Sequence, residues 1–103
     1  AANLVFKDST GEVMRITGGE VGIGTTSPSN QLHVHTNTDN DYAIRIEGST
    51  NNVAGVWTGL GISGESNNTK SAIIFEDIGL SYSRGKLHLC VNNSTNQRYS
   101  SRC

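Results

Sequence analysis

The sequence predicts an all-β chain, a meander of short strands followed by a small sandwich-like β-domain. Three observations carry this. Apolar residues alternate with polar residues or glycine in run after run, the period of two that gives a strand one apolar face. Twelve glycines and many Asn, Ser and Thr punctuate those runs as turns. No stretch of helical period escapes interruption by a glycine or a turn signal.

Element by element, Leu4-Val5-Phe6-Lys7 reads as a strand and Asp8-Ser9-Thr10-Gly11 as its turn. Residues 13–17 return, Gly18-Gly19 reverses the chain again, and 20–24 form the third strand. The loop 25–30 holds the only proline, Pro28, which cannot donate to a ladder. Residues 31–35 make a fourth strand, and 36–41 a polar loop. Beyond it, Tyr42-Ala43-Ile44-Arg45-Ile46 alternates as a strand, and 53–62 reads as a glycine-broken strand carrying Trp57. Residues 63–70 form a long polar loop, 71–75 a strong strand, 78–84 a connection with Tyr82, and 86–91 the last strand. The expected division is a glycine-rich meander over 1–38 and a compact β-domain over 39–103. Trp57, Phe75 and most of the isoleucines fall in the second part, enough for a small sheet-on-sheet core.

Composition narrows the classes. Only 34% of residues are hydrophobic, against a usual ~45–50% that also counts glycine. With clear strand patterning, that shortage fits a protomer that completes its core across a subunit interface. A formal net charge of −1 with scattered Lys and Arg leaves no footprint for nucleic acid. No apolar run approaches the ~20 residues that span a bilayer as a helix, so membrane insertion is not expected. The chain opens at Ala1 and closes at Cys103 and is expected to be a segment of a longer polypeptide.

The most informative run is Gly18 to Val34. Val21 and Ile23 alternate with Gly22 and Gly24, and Leu32 and Val34 with His33 and His35. Glycine weakens a strand unless another backbone or a ligand must come very close. Gly22 and Gly24 therefore ask for a crowded neighbour, here expected to be another copy of the chain. With Val21, Ile23, Leu32 and Val34 they form the expected packing set between copies.

This run resembles the GNVGIGTTSPxxKLHV segment of bacteriophage tail fibres and tailspikes and of related bacterial surface proteins. Residues 13–16 are similar to the strand that precedes it there. Residues 57–59, 72–76 and 84–88 resemble more weakly a fibre module of marine phages. The resemblance implies an intertwined homotrimeric β-fibre in the virion, assembled in the host cytoplasm, that contributes to attachment to the host surface through a glycan or protein receptor. In that reducing compartment Cys90 and Cys103 are expected as free thiols, although a Cys90–Cys103 disulfide is the alternative. Asn67, Asn92 and Asn93 each begin a glycosylation sequon that matters only in a secreted eukaryotic setting.

Four constellations bear on chemistry. Gly19 to Thr26 has the glycine spacing of a phosphate loop, but Thr25 stands where its lysine belongs and no helix follows. His33 and His35 share one face of a strand, and three copies about an axis would offer six imidazoles to a divalent metal. Leu32 and Val34 are better core candidates, however, which turns both histidines outward. No other cofactor is implied. Trp57, Tyr82 and Arg84, with Arg98 and Tyr99, are the residues suited to a sugar ring. Trp57 is expected in the core and Tyr82 exposed. Glu76 and Asp77 are adjacent, so a strand sends them to opposite faces and they form no glycosidase pair. The chain is therefore expected not to be an enzyme. A carbohydrate-binding adhesin module or a glycan-degrading tailspike segment are the alternative readings.

Overall fold

The computed structural model describes residues 3–49, 52–64, 71–81 and 84–91. These hold seven strands and no helix: β1 (Leu4–Asp8), β2 (Gly11–Thr17), β3 (Glu20–Ile23), β4 (Leu32–Val34), β5 (Trp57–Ile62), β6 (Ser71–Asp77) and β7 (Gly85–Val91). They form a four-stranded sheet β1-β2-β3-β4 and a three-stranded sheet β5-β6-β7. The chain divides into two compact units, Ala1–Arg45 and Ile46–Cys103.

In the first unit, β1 and β2 pair antiparallel around Ser9-Thr10. The Asp8 carboxylate accepts hydrogen bonds from the Thr10 backbone N–H (2.7 Å) and hydroxyl (2.5 Å), the local side-chain bonding that makes aspartate a turn residue. The Thr10 side chain and then its amide hold the Asp8 carboxyl below its ordinary range. Gly18 and Gly19 supply two successive positive φ values of 59° and 85° for the next hairpin, as a tight primed turn requires. A bulge between Phe6 and Lys7 places Glu12 opposite Lys7 and Met14 opposite Phe6. That shift sets Glu12 beside Arg15, which it meets at 2.6 Å, although a regular strand would send residues three apart to opposite faces.

The fourth strand departs from the expected meander. β4 lies parallel to β3, with Val21, Ile23 and Gly22 opposite Leu32, Val34 and His33. The Val21 N–H donates to the Gln31 carbonyl and the His35 N–H to the Ile23 carbonyl, both at 2.8 Å. Parallel neighbours usually need a crossover of roughly a dozen residues or more, yet here 24–31 suffices. The short connection doubles back tightly over Gly22. A Cβ at Gly22 would stand 2.6 Å from the Thr25 carbonyl oxygen and 3.5 Å from Pro28. Gly24 turns the chain at φ 76° with its missing Cβ directed onto the His35 carbonyl oxygen. Crowding within the chain itself is thus enough to require both glycines, where the sequence had suggested another copy.

In the second unit, β6 is the central strand and pairs antiparallel with both neighbours. Its end is fastened by Asp77, whose side chain is buried. The carboxylate accepts the Asn52 N–H (2.8 Å) and the Gly79 N–H (2.6 Å). The Asp77 backbone accepts the Gly55 N–H at 2.9 Å and donates to the Val56 carbonyl at 2.8 Å. One aspartate therefore ties the turns on both sides of the strand end. Buried N–H groups left without such a partner cost about 1–3 kcal/mol each.

Two other expectations change. Residues 42–46 are not a strand, because no neighbouring strand pairs with them, and Tyr42, Ile44 and Ile46 are exposed. Among the described residues the second unit has a single sheet and no second layer, so its sandwich is absent. Its buried apolar residues are Ala72, Ile74 and Cys90.

The crossover makes a specific demand. Gly22→Val is expected to lower unfolding free energy by about 1–3 kcal/mol, the usual range for overpacking, measured by denaturant titration of the full chain. An unchanged midpoint would show that the connection does not rest on Gly22.

Candidate functional site: two apolar sheet faces and a tryptophan edge

Pairing register assigns every strand residue to a face, because residues directly opposite each other point the same way. In the four-stranded sheet, Leu4, Ile16, Val21 and Leu32 form one continuous row across all strands. Phe6, Met14, Ile23 and Val34 form a second. Both rows lie on the same face, so the sheet is apolar from edge to edge on that side. Between them, on the other face, run Val5, Arg15, Gly22 and His33. The apolar face is not covered: Leu32 is 59% and Leu4 55% exposed, and Phe6, Ile16 and Ile23 are also exposed.

Of the expected packing set, Val21, Ile23, Leu32 and Val34 therefore come together on one face. Gly22 lies on the other, under the crossover, and Gly24 lies in the connection beyond β3. The residues that sequence reading missed are Leu4, Phe6, Met14 and Ile16, which complete the two rows. Their signal was present in the alternation of β1 and β2, but joining it to β3 requires the register.

His33 lies on the β4 side that carries Gly22 and is half-buried, whereas Leu32, expected in the core, is exposed; His35 follows β4 and is exposed. The His33 Nδ1 lies 3.3 Å from the Ser29 backbone nitrogen, whose N–H it accepts, and the His35 Nε2 lies 2.9 Å from the Asn37 side-chain oxygen. Among the described residues no group of three or more His, Cys, Asp and Glu is gathered around a single metal position.

The three-stranded sheet also has two unlike faces. One carries the row Gly61–Ala72–Cys90, the row Gly59–Ile74–His88 and, at the end, Trp57–Glu76–Lys86. Here the structure buries Ile74 almost completely, while Trp57 is 50% exposed rather than in the core. The reason is its place at the first position of edge strand β5, beside a charged row instead of the Ile74 row. The His88 Nε2 meets the Glu76 carboxylate at 2.9 Å across β6 and β7. An aromatic ring, a carboxylate, an imidazole and an ammonium group thus share one end of one face, a set that can stack on a sugar ring and hydrogen-bond its hydroxyls. Glu76, His88 and Lys86 were missed because only the β6–β7 register places them beside Trp57. Asp77 faces the other way and is occupied by backbone N–H groups.

Arg84 is exposed just before β7, with its carbonyl accepting the Ile78 N–H at 3.3 Å. Tyr82, residues 65–70, Arg98, Tyr99 and the sequon residues Asn67, Asn92 and Asn93 lie outside the described residues. Cys90 is disulfide-bonded where a free thiol was expected. The earlier expectation rested on compartment alone, whereas Cys90 is buried beside Ala72 on the Ile74 face. The chain's other cysteine, Cys103, lies outside the described residues.

The second face of this sheet carries Ile62, Ser71 and Val91 in one row, Leu60, Ile73 and Leu89 in the next, and Thr58, Phe75 and Leu87 in a third. Among the described residues no helix is long and apolar enough to cross a membrane. Compared with protein families and with curated proteins, the chain matches none.

Proposed function

We propose that this chain is a structural module of a homotrimeric phage-type tail fibre that contributes to virion attachment to the host surface. The observation that supports this most is the bare apolar face of the four-stranded sheet. Two unbroken rows of large apolar side chains cross every strand there, and exposed side chains in both rows leave the face uncovered. A monomer in water gains nothing from such a face, whereas copies that bury it together gain about 25 cal/mol per Å² of apolar surface removed. The resemblance of residues 18–34 to fibre and tailspike segments supports the phage setting and the three-fold state. Both are read together, since the bare face alone does not choose between dimer and trimer.

On this reading the fold is scaffold rather than catalyst. The strands supply shape and stiffness, and the apolar rows supply the cohesion between copies. Light scattering of the full chain at micromolar concentration is expected to return three times the protomer mass of 11.0 kDa. A stable folded monomer would contradict the proposal.

A second reading, compatible with the first, is that the module itself recognises carbohydrate. It is favoured by the half-exposed Trp57 standing opposite Glu76, with His88 and Lys86 on the same face. Trp57 is the only tryptophan of the chain, so intrinsic fluorescence reports on this position alone. Titration with host-surface polysaccharide is expected to change its emission saturably, and Glu76→Gln to weaken the effect several-fold. An emission unmoved by any polysaccharide tested would leave the module purely architectural.

A further inference from the structure

The geometry points to a second assembly surface in the C-terminal unit: the Leu89 face of β5-β6-β7 packs against the same face of other copies of this chain. The inference rests on the homo-oligomeric reading and extends it to a unit that the sequence marks as self-sufficient.

Leu89 is 75%, Leu87 72% and Val91 65% exposed, on the strand that forms one edge of the sheet. Ile62 is 54% and Leu60 48% exposed on the opposite edge strand, with Ile73 and Phe75 between them also exposed. Together the open fractions equal roughly four whole side chains, on the order of 600 Å² when each is given the ~150 Å² at the low end for an aromatic ring. That reaches the upper end of the largest apolar patch on a typical monomer, ~300–600 Å². It also approaches the ~800 Å² that each partner contributes to a stable interface. Neighbouring backbone and rim atoms would supply the remainder.

The three rows of this face contain no charged residue: Ser71 and Thr58 are their polar members. Asp77 follows Phe75 on this face in the end row with Gly85, but its carboxylate is buried and committed to the Asn52 and Gly79 N–H groups. Glu76, Lys86 and His88 all stand on the opposite face. An uncharged face offers no steering or polar register to a charged partner, and an equally uncharged, equally shaped face is present in every other copy.

Phe75 lies folded over Gly85, whose missing side chain makes the room: a Cβ there would collide with the ring edge. The ring therefore lies along the sheet instead of standing out from it. The face is a broad surface of short strands rather than a cleft, and it suits another sheet better than a small ligand. In a three-fold arrangement each sheet forms one wall of a shared core, with its Leu89 face turned inwards.

The test uses the full chain. Leu89→Lys places a charge at an exposed position, so the protomer should keep its β circular dichroism while its mass in light scattering falls below that of the native assembly. A folded variant with the native mass would overturn the inference. A photo-crosslinking amino acid in place of Leu89 supplies a second reading that needs no destabilised variant. Irradiation is expected to give covalent multimers from that position and none from Lys86 on the opposite face; the reverse pattern would also overturn it. The outcomes separate this inference from the functional one. A native trimer that ignores Leu89 removes only the second surface, a native dimer crosslinked through Leu89 removes only the three-fold state, and a native monomer removes both.

Discussion

A β-sheet has two faces, and each apolar one must be laid against something else before it contributes to stability. That constraint organises this chain. Both sheets are small, each pairs its backbone groups efficiently, and each has one apolar face with no second layer among the described residues. The described apolar core comes down to Ala72, Ile74 and Cys90, all on one side of the three-stranded sheet. Low apolar content is then not a sign of a poorly folding sequence. The apolar residues are concentrated on two surfaces instead of being buried within one protomer.

The polar groups of the two sheets are accommodated differently. In the first unit, the connection after β3 folds back over Gly22, and the Glu12–Arg15 pair occupies the neighbouring surface through the bulge that breaks the register of β1 and β2. The Glu12 partnership holds the Arg15 guanidinium above its ordinary range, with the hydrogen bond as the larger cause. Both groups keep contact with water, so the pair contributes modestly. In the second unit, Asp77 satisfies turn N–H groups at the end of β6. These devices hold the edges and ends of the sheets in place, with the Asp77 carboxylate buried at the end of the Leu89 face.

Much of this was legible in the sequence, and the failures have physical causes. Strand alternation located β1, β2, β3, β6 and β7 closely because period two is a property of the strand itself; the run expected over 53–62 is a strand only from Trp57, since 53–56 form the turn fastened by Asp77. The same signal misled at Tyr42–Ile46, where alternation is present but no strand pairs with it. Pairing direction was not legible either: nothing in 24–31 states that β4 runs parallel to β3. The need for close approach at Gly22 and Gly24 was readable, but its source was not, since a crowding backbone leaves the same glycine whether it belongs to the same chain or another. Trp57 was placed in the core by its size, whereas its row and its edge strand decide its exposure. The rows themselves, from Leu4 to Leu32 and from Leu60 to Leu89, emerge only when register joins strands that are distant in sequence.

On the proposed reading, association completes the fold, which makes a thermodynamic commitment that a self-contained domain does not. When folding and assembly are coupled, the unfolding midpoint depends on protomer concentration by mass action. The most direct measurement is thermal unfolding of the full chain across a hundred-fold range of concentration. The account predicts a midpoint that rises steadily with concentration, together with a single cooperative transition. A midpoint independent of concentration over that range, with the chain folded throughout, would contradict it, because the apolar faces would then be tolerated in water by a stable monomer.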